Sequence, residues 1–191
     1  ITSHASVVAE TVQKILDVTI TWKIEAAGKI DADIEVTKDD EFQDLPRFGV
    51  RMFLDKKLSA VRYFGMGPQE SYCDKHQAAS HCLYQANVDD LHEDYLRPQE
   101  NGSHYDCEYV ELNNSRYGIV VSAENAFSFN ASYYTQEELE EKTHNYELTE
   151  SDSVVFCVDY ALNGIGSNSC GPVVLDQYRF DDVLFRFQFT L

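Results

Sequence analysis

Apolar residues recur at every second position over most of this chain, the period of a strand with one face buried. Val18, Ile20, Trp22 and Ile24 alternate with polar or small residues. After a turn at Ala27-Gly28-Lys29 the alternation runs back through Ile30, Ala32, Ile34 and Val36, which predicts a hairpin. Phe48, Val50, Met52 and Leu54 form the next run, followed by Val61 to Phe64. Cys107 to Leu112 and Tyr117 to Val121 flank Asn113-Asn114-Ser115-Arg116, a second hairpin signal. Phe127, Phe129 and Ala131 continue the period, as do Val154, Phe156, Val158 and Tyr160, and the tail Phe185 to Leu191 closes it. Strands joined by turns, with no alternation of strand and helix, predict an all-β antiparallel sandwich. Trp22, on an alternating strand, is expected in its core.

One stretch has the features of a short helix, near residues 135–144. Thr135 and Glu138 have the spacing of a capping box, and acidic residues fill the first turn, where the helix dipole is positive. Two stretches carry no period. Gly65 to Tyr105 is rich in polar, aromatic and His residues and is expected to lack regular structure for about forty residues, a length that in a compact domain points to function or an interface. Asn163 to Val173 packs three glycines and a proline into a short loop, the composition of a backbone that must approach something closely. The acidic runs Asp39–Glu41 and Glu137–Glu141 are expected to face solvent.

Composition narrows the function classes. Lys and Arg total 15 against 33 Asp and Glu among 191 residues, a net charge of −18. Nucleic acid and anionic membrane are poor partners for such a surface, because their binding depends on cationic side chains. The longest apolar runs are strand-sized, so no bilayer-spanning segment is expected. Ile1-Thr2-Ser3-His4 has no charged head or apolar signal core and no initiating Met, so the chain is expected to be a piece of a longer product without a secretory leader. Five widely spaced cysteines without a CxxC pair argue against a disulfide framework and for a reducing, cytoplasmic setting. His76, His81, His92 and His104 lack the spacing of zinc ligands, and no metal site is expected in this chain.

The unpatterned stretches carry a family resemblance. Gly65-Met-Gly-Pro-Gln-Glu-Ser-Tyr-Cys-Asp74 resembles the G-x-G-P-x-E-N-Y-x-D signature of the β-galactosidase C-terminal domain in glycoside hydrolase family 2. Tyr95 to Gly102 is similar to that family's Y-x-x-P-Q-E-N-G motif. Phe127 to Ser132, the acidic helix and His144 follow in the family's order. Asp159 with Gly164-Ile-Gly166 and Cys170-Gly-Pro172 then resembles its D-x-x-x-x-G-I-G-x-x-S-W/C-G-P loop. Four motifs in order, spanning nearly the whole chain, identify it as the C-terminal or small-chain region of a LacZ-type β-galactosidase.

That resemblance implies the β-sandwich shared with galactose mutarotases, the supersandwich, with residues 1–191 as one domain forming its C-terminal two-thirds. It implies hydrolysis of terminal β-D-galactose residues with no catalytic residue in this chain. The two carboxyls of a retaining glycosidase would come from a (β/α)₈ barrel elsewhere in the enzyme, as a domain or a large subunit. The fragment by itself is expected to be inactive, the barrel to be its partner, a β-galactoside the substrate and a homo-oligomer the assembly. Sodium and magnesium are expected for the intact enzyme but not in this chain, although backbone carbonyls near Arg97-Pro98 resemble a minor sodium site.

The implied substrate contact is Cys170, flanked by Ser169 and Asn168, in the loop that in the family reaches the sugar with Trp or Cys. A structural thiol is the competing account of Cys170. Glu70 and Glu100 lie in family motifs without a catalytic role there, and are expected to accept loop backbone N–H groups. Two further functions are weighed. One is a free-standing carbohydrate-binding module, drawing on Tyr63, Tyr72, Tyr84, Tyr95 and Tyr105. The other is an aldose 1-epimerase (mutarotase), with His81 or His104 beside Glu70 or Glu100; it rests on fold analogy alone.

Overall fold

The alternating segments become ten antiparallel strands in a computed structural model that describes residues 1–9, 13–166 and 173–191. They are β1 (Thr2–Val8), β2 (Lys14–Ile24), β3 (Ile30–Lys38), β4 (Arg47–Asp55), β5 (Ala60–Gly67), β6 (Ser80–Asn87), β7 (Ser103–Asn113), β8 (Gly118–Ser132), β9 (Ser153–Leu162) and β10 (Leu184–Thr190). The only α-helix among the described residues, α1, spans Gln136–Glu141. The fold is all-β, consistent with the expected sandwich.

Both predicted hairpins form. In β2–β3 the pairs Val18↔Val36, Ile20↔Ile34 and Trp22↔Ala32 put the predicted apolar positions on one face, and β10 adds Phe185, Phe187 and Phe189 to it. Leu16, Val18, Ile34, Val36 and the three phenylalanines are buried there. Trp22 sits half-buried at the rim of this core, its ring edge-on to Phe189 at 6.3 Å. The β7–β8 hairpin pairs Leu112↔Ile119 and Asn113↔Gly118 around the predicted turn.

β8 decides the topology. Its first half pairs with β7 and, through Ser122, with Thr190 of β10; its second half pairs with β7 and β9, and β9 pairs with β4. Tyr117–Val121 and Phe127–Ala131 thus fall largely within one long strand, β8, which runs from Gly118 to Ser132. The switch occurs around the Cys107↔Phe127 pair: on one side of it Ala123–Ala126 bulge out of β8 opposite Glu108, and on the other Tyr105–Asp106 bulge out of β7 opposite Ser128. Asp106 sits there at φ 55°, a left-handed conformation that Asp tolerates better than most residues. Bulges bend a strand and re-aim its side chains, which is how one chain turns from one layer into the next.

Two elements depart from the sequence pattern. β6 occupies Ser80–Asn87, inside the stretch expected to be irregular. It is an edge strand paired only with β5 and exposed over most of its length, so burial imposes no alternation on it. β1 is likewise an exposed edge, paired only with β2. In α1 the Thr135 Oγ1 accepts the Glu138 N–H at 3.1 Å, but the Glu138 carboxylate turns away to accept the Thr149 N–H at 2.8 Å. Half of the capping box is made, and its other half ties the following loop back to the helix. No helix among the described residues is long and apolar enough to cross a membrane.

Candidate functional site: a loop platform on the polar face of β8 and β9

From Phe127 to Ser132 and from Val154 to Asp159 every residue is buried, although the sequence alternates. Phe127, Phe129, Ala131, Val154, Phe156 and Val158 belong to the hydrophobic core. The other face carries Ser128, Asn130, Cys157 and Asp159, with Ser128 opposite Asp159 and Asn130 opposite Cys157. Three of these groups meet partners from distant parts of the chain: Asp159 meets Arg47, Asn130 the Asn101 carbonyl, and Cys157 the Gln136 amide.

Asp159 is 1% exposed and receives a two-pronged contact from Arg47 of β4, Nη2 to Oδ2 at 2.8 Å and Nε to Oδ1 at 3.1 Å. The remaining guanidinium nitrogen, Nη1, donates to Glu100 Oε2 at 3.2 Å. Gly49, opposite Asp159 on β4, leaves room for this carboxylate: a Cβ there would lie 2.3 Å from Asp159 Oδ1. Burial pushes both carboxyls up, Asp159 and Glu100, while the guanidinium between them opposes the shift and is itself driven further toward its charged form.

Glu70 anchors the next pair of motifs. Its Oε2 accepts the Gly102 N–H at 2.9 Å and the Tyr72 hydroxyl at 3.3 Å, and its Oε1 accepts from Lys75 Nζ and the Tyr95 hydroxyl. Burial alone would raise this carboxyl, but the donors from Lys75, Tyr95 and Gly102 hold it below the usual glutamate range. The expected structural role of Glu70, a carboxylate that satisfies a loop amide, is what the geometry provides. Among the described residues Glu100 accepts no loop amide; it pairs with Arg47, and its buried Oε1 has no hydrogen-bond partner among them. Gly102 adopts φ 71°, and a Cβ there would sit 2.4 Å from the Leu91 carbonyl oxygen, so glycine is required at this corner. Asn101 continues the network, its carbonyl accepting from Asn130 Nδ2 at 2.6 Å.

The third connection reaches the glycine-rich loop. Asp74 accepts the N–H of Ile165 through Oδ1 at 3.1 Å and that of Gly166 through Oδ2 at 2.8 Å. Gly164 donates to the Tyr178 carbonyl at 2.9 Å, and Asn163 Oδ1 accepts the Phe180 N–H at 2.9 Å, which pins the two flanks of the loop together. Beside this clamp lies a cleft of about 440 Å³, bordered by Cys73, Tyr105, Asp106, Asn125, Leu162 and Tyr178. The neighbouring bulges of β7 and β8 supply Tyr105, Asp106, Asn125 and Ala126 to its lining. No periodicity marks those residues in the sequence, and only the bulge register brings them together.

Cys170, Ser169 and Asn168, the sequence-predicted substrate contacts, lie outside the described residues. Among the other candidates, Tyr63 and Tyr72 are 0% and 2% exposed and cannot act as a sugar-stacking platform. His104 is buried against Phe129 and Tyr63, with Nδ1 on the Met66 carbonyl at 3.3 Å, and burial lowers its pKa to about 4. His81 contacts the Asp106 carbonyl through Nε2 at 2.9 Å. Among the described residues neither His is hydrogen-bonded to Glu70 or Glu100, the pairing an epimerase would need. Arg47 was not singled out by the sequence, although it is the cation that closes the platform; its signal was only a basic residue at the start of a predicted strand.

A family model described as "Beta galactosidase small chain" matches residues 1–191. The chain belongs to that family. Its similarity to proteins named beta-galactosidase extends over nearly its whole length. Identity is 49% to that of Actinobacillus pleuropneumoniae over 93% of this chain and 17% of the relative. It is 36% to that of Staphylococcus xylosus over 98% and 19%, and 32% to that of Kluyveromyces lactis over 86% and 16%. The chain thus spans less than a fifth of the curated relatives it matches. The beta-galactosidase small chain motifs, distributed over 95 residues of sequence from Gly65 to Asp159 and on into the glycine loop, converge here on one face of two strands.

Proposed function

We propose that this chain is the C-terminal part of a β-galactosidase that hydrolyses terminal non-reducing β-D-galactose residues, and that it completes the wall of an active site whose chemistry resides elsewhere in the enzyme. The observation that carries this reading is the family match over residues 1–191, joined by a 49% identical relative named beta-galactosidase. The geometry supports the division of labour. A retaining glycosidase needs two carboxyls about 5 to 5.5 Å apart on either side of the scissile bond, one of them free to ionise and attack. Here Asp159 is closed off under Arg47, Glu100 shares that arginine, and Glu70 is filled by donors. The nucleophile and acid/base would lie in a catalytic barrel, as a domain or large subunit of the same enzyme, and the mechanism would retain configuration. This chain's residues then hold the loop platform in place and bury part of the barrel surface.

On this reading the chain is the C-terminal two-thirds of the family's sandwich, and the enzyme is a cytoplasmic homo-oligomer. Cys73, Cys82, Cys107 and Cys157 are free thiols, which suits a reducing compartment. Magnesium and sodium would serve the intact enzyme. Among the described residues no three His, Cys, Asp or Glu side chains gather as a metal-binding group. Backbone carbonyls near Arg97–Pro98 would supply the oxygen ligands of a minor sodium site.

The test is turnover of a chromogenic β-galactoside. The full-length enzyme should hydrolyse it with retention of anomeric configuration, read by NMR of the first-formed sugar, and the purified 191-residue chain should not. Turnover by the isolated chain, or none by the full-length enzyme, overturns the proposal.

A further inference from the structure

Asp74 occupies an unusual position between two motifs. Its carboxylate spends both oxygens on two successive backbone amides, those of Ile165 and Gly166, at 3.1 and 2.8 Å. Successive amides that converge on one anion form a concave nest, a geometry that holds backbone direction as well as charge. The surroundings have been cleared for this contact. A Cβ on Gly164 would lie 2.8 Å from Asp74 Oδ2 and 3.0 Å from Val174 Cγ1, and one on Gly166 would lie 3.3 Å from the same oxygen.

The clamp also stands at the edge of the cleft. Cys73, the residue before Asp74, and Tyr178, whose carbonyl receives the Gly164 N–H, both line it, and so does Leu162. Asp74 is half-buried and makes no ion pair among the described residues, so its charge is committed to these amides and not to a surface bridge. The amides it holds lie three and four residues past the end of β9 at Leu162, where the glycine-rich loop begins.

We infer that Asp74 is a positioning residue for galactoside binding: by gripping Ile165 and Gly166 it sets the course of the 163–166 backbone and, through Gly164 and Tyr178, the wall of the cleft beside it. The inference rests on the proposed β-galactosidase function. Asp74 touches no reacting atom; it acts through the backbone it holds. Loss of the grip lets that backbone shift, and with it the wall against which a galactoside would bind, while the reacting groups elsewhere in the enzyme keep their places.

The experiment uses the full-length enzyme and steady-state kinetics on nitrophenyl β-galactoside, with thermal denaturation of each variant. Asp74→Ala should raise KM about tenfold while kcat per folded enzyme changes less than about twofold, the pattern of lost binding and not of lost chemistry. Gly164→Ala, whose Cβ drives against the same carboxylate, should reproduce that split, and Asp74→Asn, which keeps one acceptor oxygen, should fall between. A role confined to folding predicts a different result: a smaller active fraction, seen as lower kcat at unchanged KM. Unchanged KM in Asp74→Ala and Asp74→Asn, with the wild type active, overturns the inference alone. No turnover by the wild type overturns the function it rests on, and the inference with it.

Discussion

Replacing Arg47 by leucine would leave the most deeply buried carboxylate of the platform without its cation. Asp159 is 1% exposed and has no other donor among the described residues than the Arg47 Nε and Nη2 atoms. Removing one member of a buried ion pair costs about 3 to 5 kcal/mol, because the remaining charge is stranded away from water. Arg47 is itself 22% exposed at the side chain, and Glu100 loses a partner as well but can reach solvent, so the Asp159 contribution dominates. For a domain of this size each kcal/mol shifts the melting temperature by about 2 to 4 °C, so Arg47→Leu should melt roughly 6 to 20 °C below wild type by circular dichroism. The loss should also depend on pH with a definite sign. Without Arg47, burial raises the folded-state pKa of Asp159 above its unfolded value of about 3.9. The folded variant then binds the extra proton, so its stability is greatest below that unfolded value and is lost as pH rises toward the folded pKa. The deficit relative to wild type should shrink at acid pH. Asp159→Asn removes the stranded charge at nearly constant shape, so the double variant Arg47→Leu/Asp159→Asn should recover part of the loss, with a coupling of about 1 kcal/mol or more. A single Arg47→Leu variant within about 1 kcal/mol of wild type at neutral pH, measured by urea denaturation, would refute the account of the pair as a sealed contact.

Three other outcomes are expected. His104, lowered to about 4 by burial, is neutral in the fold and charged in the unfolded chain over the interval up to its ordinary 6.5. Stability should therefore be complete above about 6.5 and fall by roughly 3 kcal/mol as pH drops to about 4; His104→Phe should flatten that slope in urea titrations, and an unchanged slope would assign it to other groups. Thr135→Ala removes the acceptor of the Glu138 N–H and should cost about 1 kcal/mol in thermal denaturation, whereas a neutral effect would mean that the Glu138–Thr149 contact alone secures the helix. In the full-length enzyme Cys170→Trp should lower KM for galactosides with an aromatic aglycone about 2- to 10-fold, the worth of one added ring contact, and no change would favour a purely structural thiol.

The apolar alternation was a faithful guide wherever one face of a strand meets the core. Val18 to Ile24, Ile30 to Val36 and Phe185 to Leu191 pair in the register their side chains predict, because slipping by one residue would turn every apolar group to solvent. The guide failed at β1 and β6. Exposed edge strands are held by backbone hydrogen bonds, which any sequence supplies, so burial leaves no pattern on them. It was also silent on the site. Ser128, Asn130, Cys157 and Asp159 occupy the alternate positions that a period-2 reading assigns to water, and all four are buried.

Residue order by itself determined the strand class, the two hairpins, the capped turn of helix and the family, since these depend on neighbours in sequence or on motifs kept in line. The tertiary structure alone decided which polar face would be covered, that Arg47 would be brought 112 positions along the chain to Asp159, and that Asp74 would grip the amides of Ile165 and Gly166. The physical reason is one of range. Periodicity records the interface between an element and water, whereas a buried charge records its particular partner, and that partner is chosen by where β8 bends.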